Sequence, residues 1–464
     1  MKTNQLWTVS SGFGVAILCK LFLAPLCCTA AVMLTTLHSF TGREDGANPV
    51  GLLQADDGDF YGTTSDSNIA TSSGPFGTVF RVTPEGAFTN LHAFSGADGK
   101  WPQAGLVQDA VGNFYGTTYR GGAVGWGTVF KITPVGEFST LASMDGFPGD
   151  ANSLLLPTKD GNFYTVGNFG GTSSLGTLFR IGMDGTVAVL WSFNGIEGFP
   201  GWFSNPLVQG SEGNFYGATQ FGGPSFTGAY RNTGYGTLFK MTPDRMVTNW
   251  VEFGISNGAY PTALVLAGDG NLYGTTGRGG QASVERPDGY GTVFKVATNG
   301  VFNMLTTFGG TNGLGPISLM QARDGNLYGA TESGGTYTNY GTIFRITPNG
   351  TLNSLLSFNG NNGATPQWSK APLVQAADGS FYGTTYRGGS NGYGTIFRFQ
   401  VIADPPRLDF QKLNNQLVLS WTNAGFNLQS APLITGTFTN IPGATSPYTN
   451  SLTAPQKYFR LISN

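Results

Sequence analysis

One phrase, D-G-N-F-Y-G-T-T, returns seven times along the chain with small variations, and it restricts the fold more than anything else in the sequence. Its tyrosine stands at Tyr61, Tyr115, Tyr164, Tyr216, Tyr273, Tyr328 and Tyr382. A second phrase, G-T-V-F-K-I-T-P, follows each time, opening on Gly77, Gly127, Gly176, Gly236, Gly291, Gly341 and Gly394. A third, L-x-x-F, ends at Phe40, Phe94, Phe193, Phe253, Phe308 and Phe358, with Met144 taking the place in the third repeat. A period of about 50–60 residues is that of a repeat architecture, in which one unit buries its apolar face only against the next. It also matches the size of a four-stranded propeller blade.

Each repeat reads as four strands. In the second, strand a is Gly105 to Gln108, strand b Asn113 to Tyr119, strand c Gly127 to Thr133 and strand d Glu137 to Met144. Asp-Gly or a related pair turns a into b, a strong hairpin signal. Thr133-Pro134-Val135-Gly136 turns c into d, proline presetting φ and glycine permitting its positive range. No window carries a helical period, so essentially no helix is expected. The seventh repeat stops after strand c, Gly394 to Val401, while an orphan strand d, Met33 to Phe40, precedes the first repeat. Pairing the orphan with the last repeat closes a ring and removes exposed sheet edges. The predicted fold is therefore all-β: a seven-bladed β-propeller over residues 32–402, closed by an N-terminal strand, with a small C-terminal β-sandwich over 403–464.

Composition supports this and bounds the function. The chain has 72 glycines, 13% aromatic and 11% charged residues, which suits short strands and tight turns and not a charge-rich disordered chain. Lys2 and Lys20 precede the apolar run Leu21 to Cys28, and small residues follow at Thr29, Ala30 and Ala31. Residues 1–31 are read as a signal peptide, and a secreted or cell-surface protein is expected. All three cysteines (Cys19, Cys27, Cys28) lie inside that segment. The mature chain would then have no disulfide and no thiolate chemistry. The net charge of −2 becomes slightly more acidic when Lys2 and Lys20 are removed, so no nucleic-acid footprint is expected. No membrane span is expected in the mature chain, and a monomer is the expected state.

The repeats resemble the GloVer tandem-repeat family of exported bacterial proteins. The resemblance rests on D-G-N-F-Y-G-T-T with G-T-V-F-K-I-T-P and covers about residues 34–401. It implies export and a repeat fold, and no established activity. Beyond Pro405-Pro406, the segments Arg407 to Leu413, Gln416 to Thr422, Phe426 to Ser430 and Lys457 to Ser463 alternate apolar and polar residues. They read as a sandwich similar to truncated fibronectin-like modules, with Trp421 and Phe459 in its core. A structural cap is the simpler role for it, a docking module the alternative.

Blade topology puts the a–b and c–d turns on one face, and the b–c loops and d-to-a connections on the other. The first set is short and uniform. The second varies widely, from Gly121 to Trp126 up to Gly222 to Tyr235 and Gly279 to Tyr290. Function concentrates in variable loops on a rigid scaffold, so the variable face is the expected binding face. Its candidate ligand-binding residues are Trp101, Tyr119, Arg120, Trp126, Trp202, Phe203, Arg278, Trp368, Tyr386 and Arg387. Trp and Tyr offer flat apolar surfaces with polar edges on which sugar rings stack, and Arg adds hydrogen bonds.

Other signals are weaker. A basic residue recurs in every strand c (Arg81, Lys131, Arg180, Lys240, Lys295, Arg345, Arg398), which suits blade packing, its stem lying across an aromatic neighbour. The two histidines, His38 and His92, fall in strand d, the outermost strand, too far apart to share a metal. No cofactor is expected. Calcium stays open because of Asp56-Asp57-Gly58-Asp59, although Asp-Gly turns explain that string. No catalytic residue is assigned. Of the acids outside the repeated turns, Asp98, Asp150, Glu197, Glu285, Asp288 and Glu332 are the ones a glycosidase or lyase could use. The expected function is an exported non-catalytic propeller that binds polysaccharide or another cell-surface polymer or acts as a scaffold. The alternatives are a structural surface-layer component and a propeller enzyme, either a polysaccharide lyase or glycosidase or one similar to streptogramin lyases. The last use a histidine near a divalent metal on the catalytic face, where this chain has none.

Overall fold

The computed structural model describes residues 31–66, 76–150, 153–201, 207–228, 233–284, 286–364, 373–402, 409–414, 416–421, 426–432, 437–451 and 457–463. The expected signal peptide, apart from Ala31, falls outside them. Two compact units divide the chain at Gln400/Val401, and the described residues contain no helix.

Residues 32–400 build seven antiparallel sheets with the strand order a-b-c-d. In blade 1 these are Ala47–Gln54, Phe60–Asp66, Thr78–Val82 and Phe88–Ala93. Blade 7 is completed as expected: Val374–Gln375, Phe381–Thr385 and Thr395–Ile402 are joined on the outside by Ala31–Ser39 from the N-terminal end. The Phe40 amide donates to Gly394 O at 3.0 Å, continuing that pairing. Strand a is shorter than expected in blades 2, 3, 4 and 7, where only two residues enter the ladder (Val107–Gln108 in blade 2). In blades 1 and 5 it runs for eight residues, but the register shifts between Pro49 and Gly51 and between Pro261 and Ala263. Proline has no N–H to give to a ladder.

The repeated residues are the ones that fasten blade to blade. In blades 1, 2 and 7 the strand b phenylalanine packs on the preceding blade's tyrosine: Phe114 stacks on Tyr61 and Phe60 on Tyr382 at centroid distances of 4.0 Å, and Phe381 lies tilted against Tyr328 at 4.4 Å. A second fastener is a proline at the head of strand a, laid on the glycine that opens the preceding blade's strand c. A β-carbon on Gly394, Gly77, Gly236 or Gly291 would sit 2.6–2.7 Å from the Cδ of Pro49, Pro102, Pro261 or Pro316. These glycines also have φ between +92° and +101–103°, so both space and backbone demand glycine there. The residue before each proline donates its N–H to the carbonyl of the residue before that glycine: Asn48 to Tyr393, Trp101 to Phe76, Tyr260 to Tyr235 and Gly315 to Tyr290, at 2.7–2.9 Å.

Within a blade, the strand b glycine makes room for the strand c phenylalanine. A β-carbon on Gly62 would lie 2.5 Å from Phe80 Cζ and 2.3 Å from Gly51 O. Beside it, a buried pair of threonine hydroxyls bridges b and c at 2.8–2.9 Å in six blades, Thr64 with Thr78 being the first. Blade 3 departs from the pattern, since Gly167 there stands opposite Thr177 and the Thr177 hydroxyl turns to Pro148 O.

The second unit has two three-stranded sheets. Asp409–Leu413, Gln416–Ser420 and Tyr448–Ser451 make one; Thr439–Asn440, Phe426–Ala431 and Tyr458–Ser463 make the other. Leu417, Leu419, Trp421, Leu428 and Phe459 form their core, as the alternation predicts. Arg407, Asn415 and Thr422 lie outside the described residues.

Phe40 tests the closure. It is fully buried among Phe80, Phe88 and His38 at the seam between blades 7 and 1. Phe40→Ala should cost about 3–5 kcal/mol in denaturant unfolding. Val111→Ala, on an exposed turn, should stay within about 0.5 kcal/mol.

Candidate functional site

The b–c loops and d-to-a connections meet at one face. In blades 2, 4, 6 and 7 they are tied by the hydrogen bonds Gly122 N to Gly96 O, Gly223 N to Gly195 O, Gly335 N to Gly310 O and Gly389 N to Gly360 O. Three ring positions on this face change from blade to blade, although the frame beneath them repeats. The first closes strand b: Ser65, Tyr119, Asn168, Gln220, Gly277, Glu332 and Tyr386. The second follows it: Asp66, Arg120, Phe169, Phe221, Arg278, Ser333 and Arg387. The third precedes the blade-seating proline, and there Asn48, Trp101, Tyr260 and Gly315 share a φ of 58–60°. This left-handed backbone is uncommon for a side chain as large as Trp or Tyr.

Blade 2 gathers four of the candidate residues. The Arg120 guanidinium lies 4.1 Å from the Tyr119 ring centroid and 4.9 Å from that of Trp126. It donates to Tyr119 Oη at 3.0 Å, and its Nη1 stands 3.5 Å from the buried Asp150 carboxylate. Asp150 Oδ1 also accepts the Asn168 amide at 3.1 Å. Arg120 is thus anchored and spaces two aromatic rings. Trp126 remains 38% exposed, its ring passing close to Gly146. Beside this group, Lys100 Nζ sits 4.8 Å from the Trp101 ring centroid.

The other candidates stand in separate blades. In blade 7 the Arg387 guanidinium is 5.9 Å from the Tyr386 ring, and Tyr386 O accepts from Asn48 Nδ2 at 2.9 Å. In blade 5, Arg278 Nη1 donates to Gly277 O at 2.8 Å. Trp202, Phe203 and Trp368 lie outside the described residues, as does Glu285. The list of binding residues left out Tyr260, whose ring is 5.5 Å from Phe221 and 6.2 Å from Tyr235. It left out Glu332 as well, whose carboxyl is pushed up by burial against the pull of Arg278 and Arg286. Comparing the same register position across the repeats would have found both, since these are places where the copies differ.

The repeated acids and bases are occupied in the frame. Each a–b turn acid receives the hydroxyl of its blade's tyrosine in blades 1 to 6, for example Tyr61 to Asp57 at 2.8 Å and Tyr216 to Glu212 at 2.6 Å. Burial acts against the Asp269 charge, but bonds from Asn271, Lys295 and Tyr273 outweigh it and hold the carboxyl down to about 2. Strand c cations lie over the same rings, Lys295 at 5.2 Å from Tyr273 and Lys131 at 6.0 Å from Tyr115. In the Asp56–Asp59 string, Asp57 bonds Tyr61 and the Asp59 amide, and Asp59 pairs with Arg81. No group of three or more His, Cys, Asp or Glu side chains converges among the described residues, and no helix there is long and apolar enough to cross a membrane.

His38 and His92 sit in outer strands, each bonded to an aspartate (Asp45 at 3.1 Å, Asp98 at 2.9 Å). Each stacks on a phenylalanine of the next blade, Phe88 at 4.2 Å and Phe138 at 3.8 Å. Burial lowers both pKa values below 6.5, and the aspartates only partly oppose this. The folded protein therefore binds these protons more weakly than the unfolded chain does. Their contribution to stability is complete above 6.5 and is lost as pH falls from there toward the folded values. Thermal unfolding at constant ionic strength should show the midpoint dropping between about pH 7 and pH 5. The drop should be shallower in His38→Gln/His92→Gln.

The family description "Gloeobacter/Verrucomicrobia repeat" matches residues 27–230, 200–367 and 282–414. The chain belongs to this repeat family. Among curated proteins none matches. Similar solved structures include a catalytically inactive virginiamycin B lyase from Staphylococcus aureus with quinupristin, 15% identical, covering 80% of this chain and 100% of that one at a TM-score of 0.51. A fungal alcohol oxidase of the AA5 family, in complex with copper, is 12% identical over 86% of this chain and 85% of its own, with a TM-score of 0.51. Puromycin hydrolase is 12% identical over 82% of this chain and 60% of its own, with a TM-score of 0.50. At such identities the likeness is one of fold. It agrees with the seven-bladed propeller.

Proposed function

We propose that this repeat protein is exported and acts as a binding propeller, holding polysaccharide or another surface polymer on its variable face. The observation that carries the reading is the blade 2 shelf, in which Arg120 is clamped between Tyr119 and Trp126 over the buried Asp150. Such an arrangement holds aromatic rings still without a ligand, so that little side-chain entropy is lost on binding. Flat rings with polar edges suit the C–H faces of sugars. The repeated tyrosines, acids and cations are engaged in the frame, which leaves the ring positions that differ between blades as the places where recognition is built.

A glycan array with the mature chain tests the reading. Binding of at least one polysaccharide is expected. Trp126→Ala together with Trp101→Ala should weaken it at least about tenfold, the scale of one or two lost stacking contacts, with the thermal midpoint little changed. An array without hits, or undiminished binding by the double variant, would remove the proposal.

A further inference from the structure

Blade 6 carries a second aromatic surface on the same face, built differently from the blade 2 shelf. The residue before the glycine that opens strand c is aromatic in blades 1, 2, 4, 5, 6 and 7: Phe76, Trp126, Tyr235, Tyr290, Tyr340 and Tyr393. In all of these except blade 4 the ring lies on a glycine of the connection leaving its blade. A β-carbon on Gly360 would meet the Tyr340 ring at 3.2 Å, as one on Gly146 would meet Trp126 at 2.9 Å. That recurring contact belongs to the frame. Blade 6 adds Tyr337 to it. Its loop, Gly334 to Tyr340, is one residue longer than Gly121 to Trp126 or Gly388 to Tyr393, and neither of those holds a second aromatic residue. Tyr337 is 50% exposed and Tyr340 38%. The backbone that presents them is pinned. The Thr336 amide donates to Ser357 Oγ at 3.1 Å. The Gly335 amide donates to Gly310 O and the Gly334 amide to Thr338 O, both at 2.8 Å, and the Tyr340 amide to Tyr337 O at 3.1 Å.

We propose that Tyr337 and Tyr340 form a second saccharide subsite, which takes an uncharged sugar by stacking while hydroxyl and amide groups of the loop bond its hydroxyls. This rests on the reading of the variable face as saccharide-binding, and it adds a position and a ligand class. The surroundings select the class. Neither the loop, Ser333 to Phe344, nor the connection it lies on, Leu352 to Ala364, contains a charged residue. The blade 2 group by contrast holds Arg120 and Lys100 beside its rings. A uronate or an amino sugar would find no opposite charge in these blade 6 segments to offset its desolvation. Thr336, Thr338, Asn339, Asn359 and Asn361 are all exposed around the rings. Their hydroxyls and amides both donate and accept, as sugar hydroxyls do. A tyrosine ring offers a flat apolar face with a polar edge, and a pinned backbone loses little freedom when a ligand settles on it. The frame needs one ring over Gly360, so the second, exposed ring is available for recognition.

Titration calorimetry of the Trp101→Ala/Trp126→Ala protein, which lacks the blade 2 rings, reads blade 6 by itself. The probes are mannohexaose, cellohexaose, laminarihexaose and trigalacturonate. At least one neutral hexasaccharide should bind, at least about tenfold more tightly than trigalacturonate. Adding Tyr337→Ala should weaken that binding at least about tenfold and leave the thermal midpoint unchanged, because Tyr337 takes no part in the contact on Gly360. Tyr337→Phe keeps the ring and should retain binding. An affinity untouched by Tyr337→Ala overturns the subsite. Preference for trigalacturonate overturns the ligand class. Binding of none of the neutral hexasaccharides overturns the proposal and turns the two rings over to a partner of another kind, such as a protein surface. In each of these cases, array hits of the unaltered protein that depend on Trp101 and Trp126 would leave the broader binding function standing, and only blade 6 would lose its role.

Discussion

Four junctions of the ring are seated on a contact of few atoms, a proline of one blade lying on a glycine of the blade before it. Pro102 on Gly77, Pro261 on Gly236, Pro316 on Gly291 and Pro49 on Gly394 are the same contact, the last of them closing the circle. Any side chain on the glycine would push the next blade outward, and its positive φ adds a cost for every residue except glycine. In blades 1 and 2 the neighbouring amide-to-carbonyl bond and the Phe–Tyr stack fix the rotation about that point; in blades 5 and 6 the bond stands with Leu272 and Leu327 in the phenylalanine's place. The N-terminal strand completes the seventh blade beside the last of these contacts.

Much of this was legible in the amino acids. The seven tyrosines counted the blades, and the missing strand d of repeat seven together with the orphan Met33–Phe40 stretch located the seam. The alternation after residue 406 identified the sandwich and its Trp421 and Phe459 core. The short strand a was not legible: the seating proline lies within the eight-residue strands of blades 1 and 5 but five residues ahead of the two-residue strand of blade 2. The lysines of strand c lie against aromatic rings, as expected of packing residues, Lys295 over Tyr273 showing the arrangement.

The site was only partly readable. Searching for aromatic and cationic side chains in variable loops did bring Tyr119, Arg120 and Trp126 together, but it could not say that Arg120 would be anchored by Asp150. That pairing joins the b–c start of blade 2 to the d-to-a connection leading into blade 3, two segments 30 residues apart in sequence. Glu332 drew notice only as an acid outside the turns.

The left-handed residue ahead of Pro49, Pro102, Pro261 and Pro316 has a broader consequence. The backbone is shared at these four junctions while the side chain differs, so the junction accepts several residue types. Asparagine, tryptophan, tyrosine and glycine all occupy it here without altering the dihedral. At these four blades a lineage of such proteins can therefore exchange recognition groups one blade at a time, each change sampling new chemistry over the same anchor point.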